Sequence, residues 1–447
     1  MTRQNRSENR NVSLIREDLR EILAKAEASA VVLKEVHMAK KLNTWTLGGL
    51  MVGPILGSGI ILLPPLAYQL LGAQAIWAWV AILFLGGAFA WVFVQMTLKA
   101  HSDSGIAGLV AQQWGPAWGE LASNYLTGAV VFGAVPVFLT AAHLWPHAWD
   151  LGFQPTVWAG VFLVVTVGLL LAGLSTVARL TLVLSTATAV LLVAAGTLGL
   201  IQAPVVLWPA FSPALPGLGP TLLLLFWAIV GWEVIGNYAN EVGNPDRTIP
   251  RAGLISLAAV SIVYLITTLT LQTLAPLSTS APTMALVLEP LFGSLAPLIA
   301  GLLGAGLCLG TVLMFMGAVT RMTAHRARSG TLPRWLGEKT EGTTPRRAIL
   351  ALGLTSVWLL LLVQFRAIGL EGLVSVANLF FLGNALLGLA AAWKILPTVL
   401  VRIVVVGLAV VLVLLASQGG PLGWLLAAGV TAASLVQALF RAPPAAS

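Results

Sequence analysis

Residues 51–65 read MVGPILGSGIILLPP and residues 226–242 read FWAIVGWEVIGNYANEV. Both stretches are apolar enough for a hydrocarbon layer, yet both carry breakers where a membrane helix should be continuous. In the first, Gly53, Pro54, Gly57, Ser58 and Gly59 sit near the middle of a run, with Pro64 and Pro65 just downstream. Proline removes a backbone donor and clashes with the preceding turn, and glycine lowers the cost of non-helical dihedrals. A bilayer offers no water to an unpaired peptide group, so a helix unwinds there only where protein or a cavity satisfies the backbone. Unwinding at Gly57–Gly59 directs free N–H groups and the positive end of the following half-helix at the bilayer centre. That is an anion site of carboxylate size. Close packing is the competing reading, because Gly53 and Gly57 form a small-xxx-small pair.

In the second stretch Gly231 and Gly236 bracket Glu233, the one acidic residue of 16 that falls deep within a span. A charge in lipid costs several kcal/mol, so Glu233 is expected to face a cavity and to be functional. The alternatives are a carboxyl that lies nearer a span end, or one kept protonated and hydrogen-bonded.

Composition agrees with this frame. Of 447 residues, 58% are hydrophobic and only 9% charged, and the mean hydropathy is +0.93. These values exclude a water-soluble globule and a disordered chain. Apolar runs punctuated by Pro, Gly or charge predict twelve spans, near 46–70, 74–98, 119–142, 156–174, 177–201, 218–242, 251–275, 293–321, 347–364, 371–392, 397–416 and 420–440. A segment at 104–115 is too short to cross. With the amino terminus cytoplasmic, every one of the 24 Lys and Arg residues except Arg366 falls on the inner side. Inner loops retain basic residues, so both termini are expected in the cytoplasm of a multi-pass protein of the cell membrane. The net charge of +8 is then a topology signal with no nucleic-acid partner implied, and the basic loops adjoin the lipid bilayer.

The chain divides into a charged cytoplasmic segment (1–45), a ten-span transport core (46–394), two peripheral spans (395–441) and a short tail (442–447). The first segment has no apolar core, so no cleavable signal is expected. The single cysteine, Cys308, allows no internal disulfide. His143 and His147 have helical spacing but flank Pro146, and a loop reading is preferred to a metal site. Neither metal nor cofactor is expected. The broken spans are the first and the sixth. Two halves of five spans each must have opposite orientation, because five is odd. Interrupted helices at matching places in inverted halves point to a midplane transport site.

At these residues the sequence resembles the amino acid–polyamine–organocation (APC) superfamily. Residues 56–64, LGSGIILLP, are similar to that family's first-span carboxylate-binding stretch. Residues 226–250 are similar to its sixth span and following E-x-x-N-P-x-R-x-x-P loop, here Glu241, Asn244, Pro245, Arg247 and Pro250. Within the family the chain is most similar to bacterial exporters of methionine and branched-chain amino acids, on the apolar neighbourhood of Glu233 and on Ala377–Asn378. The resemblance implies an all-α polytopic membrane protein with a 5+5 inverted repeat of the LeuT-like kind. It also implies a substrate site built from Ile55, Gly57, Ser58, Gly59, Ile60, Trp227, Val230, Gly231 and Asn378. Carboxylate would meet N–H groups of Ser58, Gly59 and Ile60, and ammonium the carbonyls near Trp227, Val230 and Gly231. Trp227 would cover the substrate, and Glu233 would serve as gate or proton carrier.

Some proton-coupled relatives carry a fifth-span lysine near the first break, whereas this chain has Ser185 there. Sodium coupling would call on hydroxyls such as Thr311 or Thr320. The expected partners are a small-molecule amino acid, the bilayer and protons, with a homodimer compatible. The expected function is export or exchange of neutral hydrophobic amino acids such as Met, Leu, Ile and Val by alternating access. The side chain would lie in an apolar pocket from spans three, six, eight and ten. Alternatives are a cationic amino-acid or polyamine antiporter of the same fold, and a transporter-like sensor. An enzyme is disfavoured because the spans hold no paired carboxylates and no His–acid pair.

Overall fold

The computed structural model describes residues 43–100, 105–144, 154–172, 175–211, 216–232, 242, 244–277, 282–337 and 344–441. It is built of helices: α1 (Thr44–Leu56), α2 (Gly59–Leu71), α3 (Ala75–Ala100), α4 (Gly105–Trp114), α5 (Pro116–Leu144), α6 (Pro155–Ala172) and α7 (Ser175–Gln202), then α8 (Leu218–Leu225), α9 (Pro245–Leu274), α10 (Met284–Phe292), α11 (Ala296–Arg328), α12 (Arg346–Gln364), α13 (Leu370–Ile395), α14 (Val399–Ala416) and α15 (Pro421–Arg441). Among the described residues nine helical segments are long and apolar enough to cross a membrane. Their lateral faces leave apolar side chains uncovered, such as Phe84, Leu254, Val399 and Ile403, as a lipid-facing surface requires.

In a bilayer, burial of apolar area gives little drive between helices, so close approach must come from small residues. The pairing of α5 with α13 shows how. Gly128 on α5 lies under the Phe380 ring, and Gly383 on α13 lies under Tyr125; a Cβ on either would come within 3.0 Å of ring carbon. Phe132 then stacks on Phe380, with ring centroids 5.9 Å apart. Around α5 gather α4, α6, α11, α13 and α15, while α1, α3, α7 and α10 gather around α9. Peripheral α15 is tied to α5 through Asn124 Nδ2 to Ser434 Oγ (2.8 Å) and the Tyr125–Thr431 hydroxyl pair (2.7 Å).

Several boundaries differ from the sequence reading. Helix α9 opens at Pro245 rather than near 251, with Asn244 as its cap and Asp246 in its first turn. Proline is well placed there, since its missing N–H is an orphan in any first turn. Pro64 and Pro65 do not stop a helix either, because α2 runs through both to Leu71. They withdraw only the donors that would meet the Ile60 and Ile61 carbonyls. Helix α11 continues to Arg328, well past the expected end of span eight. It carries Arg326, which sequence reading left in a loop, into a buried pair: Nε and Nη2 meet Glu120 Oε2 at 2.9 and 2.5 Å, and Nη2 meets Asn124 Oδ1 at 2.7 Å. Helix α10 had no counterpart in the predicted spans.

Candidate functional site

The first span is broken. Helix α1 ends at Leu56, and Gly57 adopts φ 34°, ψ −140°, a conformation that a residue with a Cβ rarely takes. Its N–H still reaches back to Gly53 O at 2.9 Å. Ser58 turns the chain (φ −68°, ψ −20°), and α2 starts at Gly59. The expected row of three free donors loses one, because Ser58 N–H donates to Thr311 Oγ1 at 2.9 Å. Ile61 and Leu62 N–H bend onto Ser58 O, both at 3.3 Å. Gly59 and Ile60 open α2, at its positive end.

Thr311 belongs to α11 and fixes this corner: its hydroxyl accepts from Ser58 and donates to Leu307 O at 2.8 Å. Thr320 spends its hydroxyl on Gly317 O, 3.1 Å away. Nine residues further along the same helix, it sits about 13.5 Å from the level of Thr311. The two hydroxyls therefore cannot share one ion, whose oxygen ligands must converge within a few Å. Ser185 of α7 faces the break, its Oγ lying 3.2 Å from where a Cβ on Gly53 would be. Gly306 packs against Leu184. The competing close-packing reading therefore also fits Gly53, in addition to the break one turn further on.

The sixth span unwinds too. Helix α8 tightens into a 3-10 turn over Phe226–Ile229, Val230 is extended (φ −78°, ψ 138°), and its N–H meets Trp227 O at a long 3.4 Å. Gly231 has φ 118°. Three neighbours shape this turn. Gly86 of α3 makes room for Ile229, because a Cβ there would lie 2.6 Å from Ile229 Cγ2. Gly133 of α5 makes room for the Trp227 ring, 2.8 Å on the same measure. Asn378 of α13, fully buried, donates its Nδ2 to Leu223 O at 2.7 Å, while its Oδ1 has no partner among the described residues. Glu233 and Glu241 lie outside the described residues, as do His147 and the charged segment 1–42.

The two breaks meet. A Cβ built on Gly59 would lie 3.8 Å from Trp227 Cδ1 and 2.8 Å from Tyr264 Oη. Beside this junction is a narrow cavity of about 20 Å³, lined by Ala129, Gly133 and Val137 of α5, Trp227 and Val230, Thr311, Phe315 and Met316 of α11, and Phe381 of α13. These helices are the third, sixth, eighth and tenth predicted spans. Among the described lining residues, Thr311 carries the one hydroxyl. Phe381 links the aromatic wall, edge-on to Trp227 at 5.9 Å and to Phe315 at 6.2 Å. Of the residues singled out from sequence, Gly59, Trp227 and Val230 border the junction or cavity. Gly57 and Ser58 shape the turn behind it. Ile55 and Ile60 point their side chains into the packed core, so only their backbones face the break. Thr311, Gly133, Tyr264 and Phe381 were not singled out as site residues. Elsewhere, the His143 ring meets Leu139 O at 2.7 Å, Cys308 is buried within α11, and no group of three His, Cys, Asp or Glu lies together among the described residues.

Comparison with known proteins places this geometry. The profile of a family described as amino acid permease matches residues 42–424. The L-methionine/branched-chain amino acid exporter YjeH of Escherichia coli K12 is 27% identical over 83% of this chain and 90% of that protein. The cadaverine/lysine antiporter of the same strain is 24% identical over 73% of this chain and 75% of its own. Among solved structures, MhsT in complex with L-phenylalanine superposes with a TM-score of 0.61 at 14% identity, covering 83% of this chain and 97% of that one. The fold is shared with that structure.

Proposed function

The chain belongs to the amino acid permease family, and on that premise we propose that it is a secondary active transporter that exports or exchanges neutral hydrophobic amino acids by alternating access. The observation that carries this reading is the meeting of two interrupted helices beside an apolar cavity. A zwitterion needs donors for one end and acceptors for the other. Gly59 and Ile60 N–H, at the positive end of α2, suit the carboxylate; the carbonyl ends of α1 and of the Trp227–Gly231 turn suit the ammonium. The side chain then extends toward Trp227, Phe315, Met316 and Phe381, where a thioether or branched alkyl group meets apolar walls without stranding a polar atom. Alternation would rock the α1, α3 and α9 group, with the broken sixth span, against the group around α5. Each break supplies a local unwinding about which such movement can occur.

The protein is placed in the cell membrane with both termini cytoplasmic, following the distribution of its basic residues. Proton coupling is assigned to Glu233, because Ser185 occupies the place where a lysine would otherwise approach the first break. Purified protein in proteoliposomes, offered labelled Met, Leu, Ile, Val, Lys and cadaverine with and without a proton gradient, tests the reading. Saturable counterflow of Met and the branched amino acids is expected. Counterflow of Lys or cadaverine alone would move the chain to the polyamine branch, and binding without flux would make it a sensor.

A further inference from the structure

Helix α9 carries a row of fully buried polar atoms that have no partner among the described residues. Tyr264 Oη, Thr267 Oγ1, Thr268 Oγ1 and Gln272 Oε1 all lack one, and each residue is 0% exposed. Thr270, one face away, shows the ordinary arrangement, with its hydroxyl on Ile266 O (2.8 Å) and Gly196 O (3.0 Å). An unsatisfied buried hydroxyl is costly, so it marks a place where something else completes the bonding. Tyr264 is the member of the row that reaches the junction of the breaks. Its ring is clamped in a stack on Trp79, centroids 4.2 Å apart and planes at 20°. Its Oη lies in the space that a side chain on Gly59 would need, 2.8 Å from the position of that Cβ.

The Gly59 and Ile60 N–H groups and the Tyr264 O–H thus come together at the amino end of the thirteen-residue α2, and the hydroxyl has no partner among the described residues. A phenol oxygen can also accept, but beside two N–H groups and a positive helix end a cation is repelled and the hydroxyl is left to donate. A carboxylate has about four lone-pair sites on two oxygens and accepts three such bonds. We infer that the Tyr264 hydroxyl is the third donor to the substrate carboxylate, and that it makes the site select amino acids over the corresponding amines. This rests on the amino-acid reading of the same site. Stacking on Trp79 pre-orients the hydroxyl, so little rotamer freedom is lost on binding.

The test measures affinities of the full-length protein for methionine and for 3-(methylthio)propylamine, the corresponding amine, which keeps the ammonium and side chain but has no carbonyl acceptor. Replacement Tyr264→Phe should weaken methionine binding about tenfold or more, the usual worth of one hydrogen bond to a charged group. Binding of that amine should stay within about twofold of wild type, as a residue acting only through the carboxylate requires. The ligand-free Tyr264→Phe protein should melt no lower than wild type, because the change removes a buried, unpartnered hydroxyl. Unchanged methionine affinity, an equal loss for both ligands, or a variant that does not fold would each overturn the assignment. If wild type binds none of Met, Leu, Ile and Val, the transporter reading falls and this inference with it. If wild type binds and Tyr264→Phe is indistinguishable, this inference alone falls.

Discussion

The two helix breaks are alike in rank and opposite in construction. The first is polar: Gly57 turns the chain, Thr311 holds the Ser58 N–H, and the positive end of α2 begins at Gly59. The second is aromatic: a 3-10 turn runs into extended Val230, beside a narrow cavity walled by Trp227, Phe315 and Phe381. Family membership concerns both equally, yet the physics gives them separate tasks. Backbone donors read the charged head that every amino acid shares. Side chains around the second break read what differs between amino acids. Substitutions at the first should therefore damage binding of all substrates together, and those at the second should reorder them.

The largest effect is expected from Gly57→Leu. A side chain at φ 34°, ψ −140° is strained by about 1–3 kcal/mol before any clash is counted, and counterflow of every substrate should be abolished. Retained transport would remove the turn from the site. Next comes Thr311→Val, which keeps the shape but strands Ser58 N–H in the core at a cost of about 1–3 kcal/mol. Its melting temperature should drop and affinities for Met, Leu and Val should fall in parallel, with Thr311→Ser restoring both. A change in substrate order at this position would erase the distinction between the two breaks.

At the second break, Gly133→Ala places a methyl 2.8 Å from Trp227 Cη2 and should drive the ring toward the cavity. Competition binding should then show roughly tenfold discrimination against Leu and Met relative to Ala, about the value of a methylene or so in an apolar pocket. A uniform loss would show that Trp227 does not border the side chain. The smallest effect belongs to Asn378→Leu, which loses one bond to Leu223 O but also a buried Oδ1 without a partner. The two nearly offset, so stability should change by no more than about 1 kcal/mol and methionine affinity by no more than about threefold. A larger loss of affinity would make Asn378 a substrate contact.

The architecture was legible because a bilayer leaves few options. Apolar runs had to be helices, and clustered Gly and Pro within two of them had to be breaks; Gly57 and Gly231 carry positive φ in the structure. Which glycine accommodates which ring was not legible. Gly133 is one of 45 glycines, and only the third dimension sets it under Trp227. Thr311 was noticed as a hydroxyl for an ion, but sequence alone offers no register between α11 and the first break, so its role as acceptor for Ser58 stayed hidden. Tyr264 sits in an apolar run like any membrane tyrosine. Its distinction is an unmade hydrogen bond, which has no sequence signature. Arg326 was assigned to a basic loop because no local pattern reveals that Glu120 waits more than 200 residues upstream on a neighbouring helix.

The central claim is that the interrupted helices clasp both charges of one amino acid. A cryo-electron-microscopy structure of the full-length protein with methionine tests it most directly. The account predicts ligand density at the junction, a carboxylate about 2.7–3.2 Å from Gly59 and Ile60 N, and the thioether among Trp227, Phe315 and Phe381. Methionine seated elsewhere, with the head of α2 capped by protein groups, would contradict it.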